Sequence, residues 1–139
     1  MHVKVLGVFS IVDEEGPEMD QGSLLRWLNE TMWFPSVWAT DVISWEAVDD
    51  AVAIASVTAD GLTVSAELRF DEQGRLINFT ADRFRDTDDG AVLTKWATPL
   101  RAHARFNHIE LPSEGGGVWH LPDGEFEYIQ LRITDIEYR

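Results

Sequence analysis

The stretch Asp20-Gln-Gly-Ser-Leu-Leu-Arg-Trp-Leu-Asn-Glu-Thr-Met-Trp-Phe-Pro35 is the one convincing helix in a chain whose other runs read as strands. Asp20 and Ser23 are both good N-caps, because their side-chain oxygens can accept from the free amides of a first turn. Pro35 cannot continue a helix and disfavours helical geometry at Phe34. The spacing therefore predicts a helix over 21–33, about three and a half turns. Leu24, Leu28 and Thr31 or Met32 fall on one stripe, widened by Leu25 and Trp27, which suits a helix lying against a sheet.

A second stripe carries Arg26, Glu30 and Trp33 at i, i+4 and i+7. Two readings of it stay open. In one it is a solvated face with a single ion pair. In the other, Arg26 and Glu30 point into a partly covered pocket walled by Trp27, Trp33, Phe34 and Trp38. Large rings so close together favour burial, since each hides much apolar area, and plain core packing explains that burial equally well.

Period-two patterns take over after Pro35. Ile43, Trp45 and Ala47 share a face of the 41–48 run, and a second run covers 51–58. Asp60-Gly61 is a strong hairpin signal. Leu62, Val64, Ala66, Leu68 and Phe70 then alternate with Thr63, Ser65, Glu67 and Arg69. In 75–84, Ile77, Phe79 and Ala81 are in phase, and so is Arg83. That register sets a guanidinium at the end of an apolar face, where it needs a carboxylate or backbone carbonyls. Glu30 is the expected partner, and a frayed strand end releasing Arg83 to water is the alternative.

Further runs cover 91–99, 100–107, 118–121 and 125–138, while 112–117 (Pro-Ser-Glu-Gly-Gly-Gly) reads as a flexible loop. Arg101, His103 and Arg105 make a basic stripe expected to face solvent or neighbouring carboxylates. Residues 3–12 are β-rich, with Gly7 at a bend. The expected class is α+β: a curved antiparallel sheet of about eight strands, a half-barrel or open barrel, wrapped around one helix. A single domain over 1–139 fits this length, and an apolar hollow is expected between helix and sheet.

Composition narrows the function. Twenty-five acidic residues against 11 basic give a net charge of −14, which repels phosphate backbones and discounts nucleic acid. There is no cysteine, hence no disulfide, thiol nucleophile or thiolate site. His2, His103, His108 and His120 form no zinc-binding spacing, and the acidic loop 86–90 lacks the rest of a calcium-loop pattern, so no metal is expected. No G-x-S-x-G and no phosphate loop occur, and no cofactor is expected. No window has the apolar length of a membrane span and no signal peptide is evident, so a cytoplasmic setting is expected.

Three functions remain in play. The first is a module binding a small apolar or amphipathic ligand, with Trp27, Trp33, Phe34, Trp38, Trp45, Phe79 and Trp119 as wall. The second is a cofactor-free hydrolase or isomerase with Glu30 as acid or base, aided by Arg26, Arg83 or Tyr128. The third is a structural domain forming a homodimer through sheet edges.

Leu24 to Pro35, Trp45-Glu46, Phe70 to Gly74, Phe79 to Arg83, Leu111-Pro112, Val118-Trp119, Asp123-Gly124 and Tyr128, in this order, resemble an uncharacterised bacterial domain-of-unknown-function family (DUF6544/DUF6920-like). The resemblance implies a lipoprotein-carrier (LolA/LolB-like) half-barrel, an apolar interior and no established reaction. It marks Arg26, Glu30, Trp33, Arg83, Trp119 and Tyr128 as pocket positions. It also implies a further N-terminal part, so that this chain would be a piece of a longer protein.

Overall fold

Tight turns string the strands into a meander. Asp60 and Gly61 both take positive φ, 51° and 81°, the backbone that a two-residue hairpin needs. Gly74, Gly90 and Gly124 supply the same freedom at three later reversals, with φ of 80°, 104° and 125°. The computed structural model describes residues 17–106 and 108–136, the side chains of 17–19 excepted. The expected strand at 3–12 lies outside them.

Among the described residues there is one seven-stranded antiparallel sheet in chain order. It comprises β1 (Ile43–Ala47), β2 (Val52–Ala59), β3 (Leu62–Phe70), β4 (Leu76–Thr87), β5 (Gly90–Phe106), β6 (Ile109–Leu121) and β7 (Gly124–Arg132). The sheet is open, with β1 and β7 at its two edges. Against the expected eight over the whole chain, the described residues hold seven strands, and their bounds differ from the reading in two places. The runs 91–99 and 100–107 are one strand, because β5 passes through Pro99 and absorbs the irregularity in register shifts between Leu100 and His103. The expected loop 112–117 is instead the middle of β6. A Cβ at Gly115 would stand 2.6 Å from Pro99 O and one at Gly117 2.8 Å from the Tyr128 ring, so these glycines serve close approach rather than flexibility.

The helix, α1 (Pro17–Glu30), starts earlier than the caps at Asp20 or Ser23 would have it. Proline is well suited to a first turn because its missing N–H has no partner to lose there. After Glu30 the chain tightens into a 3₁₀ turn (Thr31–Trp33), breaks at Phe34 and resumes as a second one (Pro35–Ala39). Leu24, Leu25, Leu28 and Met32 are buried against Ala55, Val57, Val64, Ala66, Leu68 and Phe79, so the expected stripe is the core-facing one. In β3 the alternation is as read: Val64, Ala66 and Leu68 are buried while Thr63, Ser65, Glu67 and Arg69 are exposed. A bulge at Arg69/Phe70 brings Leu76 opposite Phe70, so Leu76 rather than Ile77 joins the core.

β3 and β4 pair only from Glu67↔Thr80 to Phe70↔Leu76, then part, while β4 continues to Thr87 against β5. The β4 backbone freed by this parting is taken up by the helix. Gln21 donates from Nε2 to Asp82 O (2.7 Å) and accepts at Oε1 from Phe84 N (3.3 Å). A single glutamine thus mimics a strand neighbour and pins the start of the helix over Arg83.

Candidate functional site

One helical stripe runs Gly22, Arg26, Asn29, Trp33 and steps across the sheet. Gly22 meets Arg83 of β4, with an added Cβ at 3.4 Å from its Nε. Asn29 donates to Thr98 Oγ1 of β5 at 2.9 Å, and the Trp33 indole donates to Pro112 O of β6 at 2.9 Å. Arg26 is the exception: its side chain is 72% exposed, and it reaches only Glu30, at 3.6 Å.

Arg83 sits at the start of this line. Its guanidinium carbon lies 4.6 Å from the centre of the Trp96 ring, a cation–π contact. Trp96 in turn stands edge-on to the buried Phe79 at 5.9 Å and donates from its indole to the Tyr128 hydroxyl at 3.0 Å. Tyr128 lies against the bare backbone of Gly117 and stacks on Trp119 with centroids 6.0 Å apart. Burial lowers the pKa of Arg83; Tyr128 opposes this and Arg26 adds to it by like-charge repulsion. An arginine so far above neutrality stays charged all the same.

The alternation of β4 explains why, among the described residues, Arg83 has no acid beside it. In Asp82-Arg83-Phe84-Arg85-Asp86 the carboxylates and guanidiniums fall on opposite faces. Asp82 faces Lys95 across the β4–β5 ladder, while Arg83 and Arg85 face Thr94 and Val92. Glu30, the expected partner, belongs to Arg26 instead. Its own carboxyl pKa is raised by burial, against the pull of Arg26. Buried Arg85 Nε has no hydrogen-bond partner.

This chain belongs to the family of unknown function DUF6544. The family's model matches residues 1–131. Neither a curated protein nor a solved structure matches it.

The aromatic wall read from the sequence divides in two. Trp38 packs edge-on to Trp45 (5.5 Å) and Phe70 (6.2 Å), and donates to Thr31 Oγ1 at 2.8 Å, while Trp45 donates to Trp38 O at 2.9 Å. Trp38 and Phe70, like the partly buried Phe34 and Trp27, pack against the core, while Trp45 is 39% exposed at its rim. Trp33 and Phe79 are core residues, 5% and 1% exposed. The space beside Trp33 is only about 10 Å³, room for no more than a water. Trp119 and Tyr128, with Arg83, make the other group, and there the helix does not cover the sheet: Tyr128 and its neighbour Phe126 are exposed.

Sequence reasoning missed Trp96, Gly117, Gln21 and Arg85. Trp96 has a weak signal in its phase with Thr94 and Thr98, and Arg85 has one in its phase with Arg83. Gly117 and Gln21 have none, since their roles depend on a cross-strand ring and on the parting of two strands. The basic stripe of β5 is spent: Arg101 pairs with Glu127, and His103 bonds the backbone oxygen of Leu76 at 2.9 Å. Among the described residues no three metal-binding side chains gather, and no helix is long and apolar enough to cross a membrane. On the opposite face a hollow of about 410 Å³ opens where β3 and β4 part, lined by Ser65, Glu67, Thr80, Asp82 and Lys95. It is shallow and polar, and no aromatic ring lines it.

Proposed function

We propose that the chain is a binding module for a small amphipathic molecule, held on the concave side of a half-barrel-like sheet, beside the helix rather than beneath it. One observation supports this most. Trp96, Trp119, Tyr128 and Phe126 form an aromatic strip that runs from β5 to β7, and its outer end is left to solvent, with Phe126 54% exposed. Exposed rings gathered in a contiguous strip are a mark of binding surfaces. Leu24, Leu25 and Leu28 of the helix, by contrast, are closed in by the core, and a hollow of about 210 Å³ lies beyond them beside Met32, Trp38 and Phe70. A ligand tail would lie across β6 and β7, parallel to the inter-strand hydrogen bonds, and its polar end would reach β4.

The test is calorimetric titration with decanol, a neutral single-tailed probe. The expected result is saturable binding that weakens about tenfold or more in Trp119→Ala, by loss of a ring's buried area. Absent or unsaturable uptake would refute the reading. A second reading, a homodimer, is favoured by β7 being an edge strand with Ile129 and Phe126 exposed. Sedimentation would report a dimer disrupted by Ile129→Lys.

A further inference from the structure

We infer that Arg83, supported by Arg85, is the receptor for an oxyanion, the carboxylate or phosphate head of a ligand whose tail occupies the aromatic strip. The inference rests on the ligand-binding reading above and adds the chemical class of the ligand.

Three observations carry it. The first is the absence of a counter-charge. Arg83 is half-buried, and among the described residues no carboxylate pairs with it, in a chain with 25 acids and 11 bases. In so acidic a chain an acidic partner would be easy to supply. Instead the strand sends Asp82 and Asp86 to the other face and leaves Arg83 and Arg85 together on this one. The second is unused donor capacity. A guanidinium offers five N–H groups in a planar fork. Arg83 is engaged by a ring face and by the Tyr128 hydroxyl, and Arg85 keeps a buried N–H with no acceptor. Buried donors left unsatisfied are costly, and an arriving oxyanion removes that cost with charge-assisted bonds.

The third is that the surroundings hold the fork in place. Trp96 lies under the guanidinium and is itself fixed by Tyr128 and Phe79. At Gly22 the helix passes within contact distance of Nε and Nη2, and Gln21 locks that approach from both sides. Arg26, exposed one turn further along the same stripe, adds positive potential. A planar cation stacked on an indole keeps its edge for a planar or tetrahedral oxyanion, which a flexible lysine would not do. The aromatic strip then begins where the cations end, the layout of an amphipathic anion.

The experiment is calorimetric titration of the whole chain with decanoate, monodecyl phosphate and decanol at low salt, above the carboxylate's ionisation. At least one of the two anions is expected to bind about tenfold or more tighter than decanol. Whichever it is identifies the head as carboxylate or phosphate. Arg83→Gln is expected to abolish that preference, each anion being compared with decanol on the same variant. Arg83→Lys should restore only part of it. Arg69→Gln, which removes an equal charge from the opposite face, should leave the preference intact. Equal binding of all three probes would overturn the oxyanion assignment and leave the ligand-binding reading standing. Failure of decanol and both anions to bind would overturn both. Loss of preference in Arg69→Gln as large as in Arg83→Gln would reduce the effect to net charge and overturn the assignment as well.

Discussion

The chain holds two clusters of rings, and they differ in what their polar atoms do. Around Trp38 the polar atoms are spent within the fold: Trp38 donates to Thr31, Trp45 donates to Trp38, and Thr31 donates to Leu28 O at 2.6 Å. Around Trp96 the rings are equally well placed, yet they surround a cation that no carboxylate of the described residues pairs with, and they end in the exposed Phe126. The first cluster braces the 3₁₀ turns against β1 and β3. The second is the surface proposed to hold a ligand. Natural chains give up local consistency chiefly where a site requires it, and this contrast separates a brace from a candidate binding surface.

The largest effect that would sharpen the contrast belongs to the brace. Trp38→Ala is expected to cost about 3 kcal/mol in urea denaturation, from lost packing and the lost indole bond to Thr31, with probe affinity unchanged. A large affinity loss in this variant would merge the two clusters. Next comes Gly117→Ala, whose methyl would stand 2.8 Å from Cζ and Oη of Tyr128. Displacing that ring should cost about 1–2 kcal/mol and reduce the near-ultraviolet circular dichroism of the Trp119–Tyr128 stack. Gly22→Ala works the other way. Its methyl meets only the flexible end of Arg83 at ordinary contact distance, so better helix propensity should raise stability by about 0.5–1 kcal/mol. The smallest effect is in Glu30→Gln. Burial raises the carboxyl pKa of Glu30 in the folded chain, so the folded state holds its proton longer than the unfolded one. Its contribution is therefore fully present below the ordinary glutamate range and is lost as pH rises through the raised folded value. The variant should show a shallower fall in stability over that interval, measured by denaturation at a series of pH values.

Much of this was legible in the chain. Asp60-Gly61, the alternation of Leu62 to Phe70 and the leucine stripe of the helix each report a local preference, and local preferences are written locally. The register beyond Arg69 was not, because a bulge moves Leu76 into the core where period two selects Ile77. The glycines of β6 look like a loop until the Tyr128 ring and Pro99 carbonyl beside them are known. Arg83 was found by its phase, but its partner was misjudged: Glu30 is satisfied by Arg26 on its own helix, and the ring that receives Arg83 comes from the next strand. The candidate wall mixed core, brace and strip for the same reason. An aromatic residue announces burial, and only tertiary placement says against what.

The most direct trial of the account compares wild type with Arg83→Met by chemical denaturation. An arginine kept for a ligand is a burden on the free protein, since its charge is desolvated with no carboxylate of the described residues against it, and Met fills similar volume against Trp96. The account predicts that Arg83→Met is more stable, by about 1 kcal/mol, with an unchanged dependence on denaturant. A loss of stability of that size or more would show that Arg83 holds the fold together, and would contradict it.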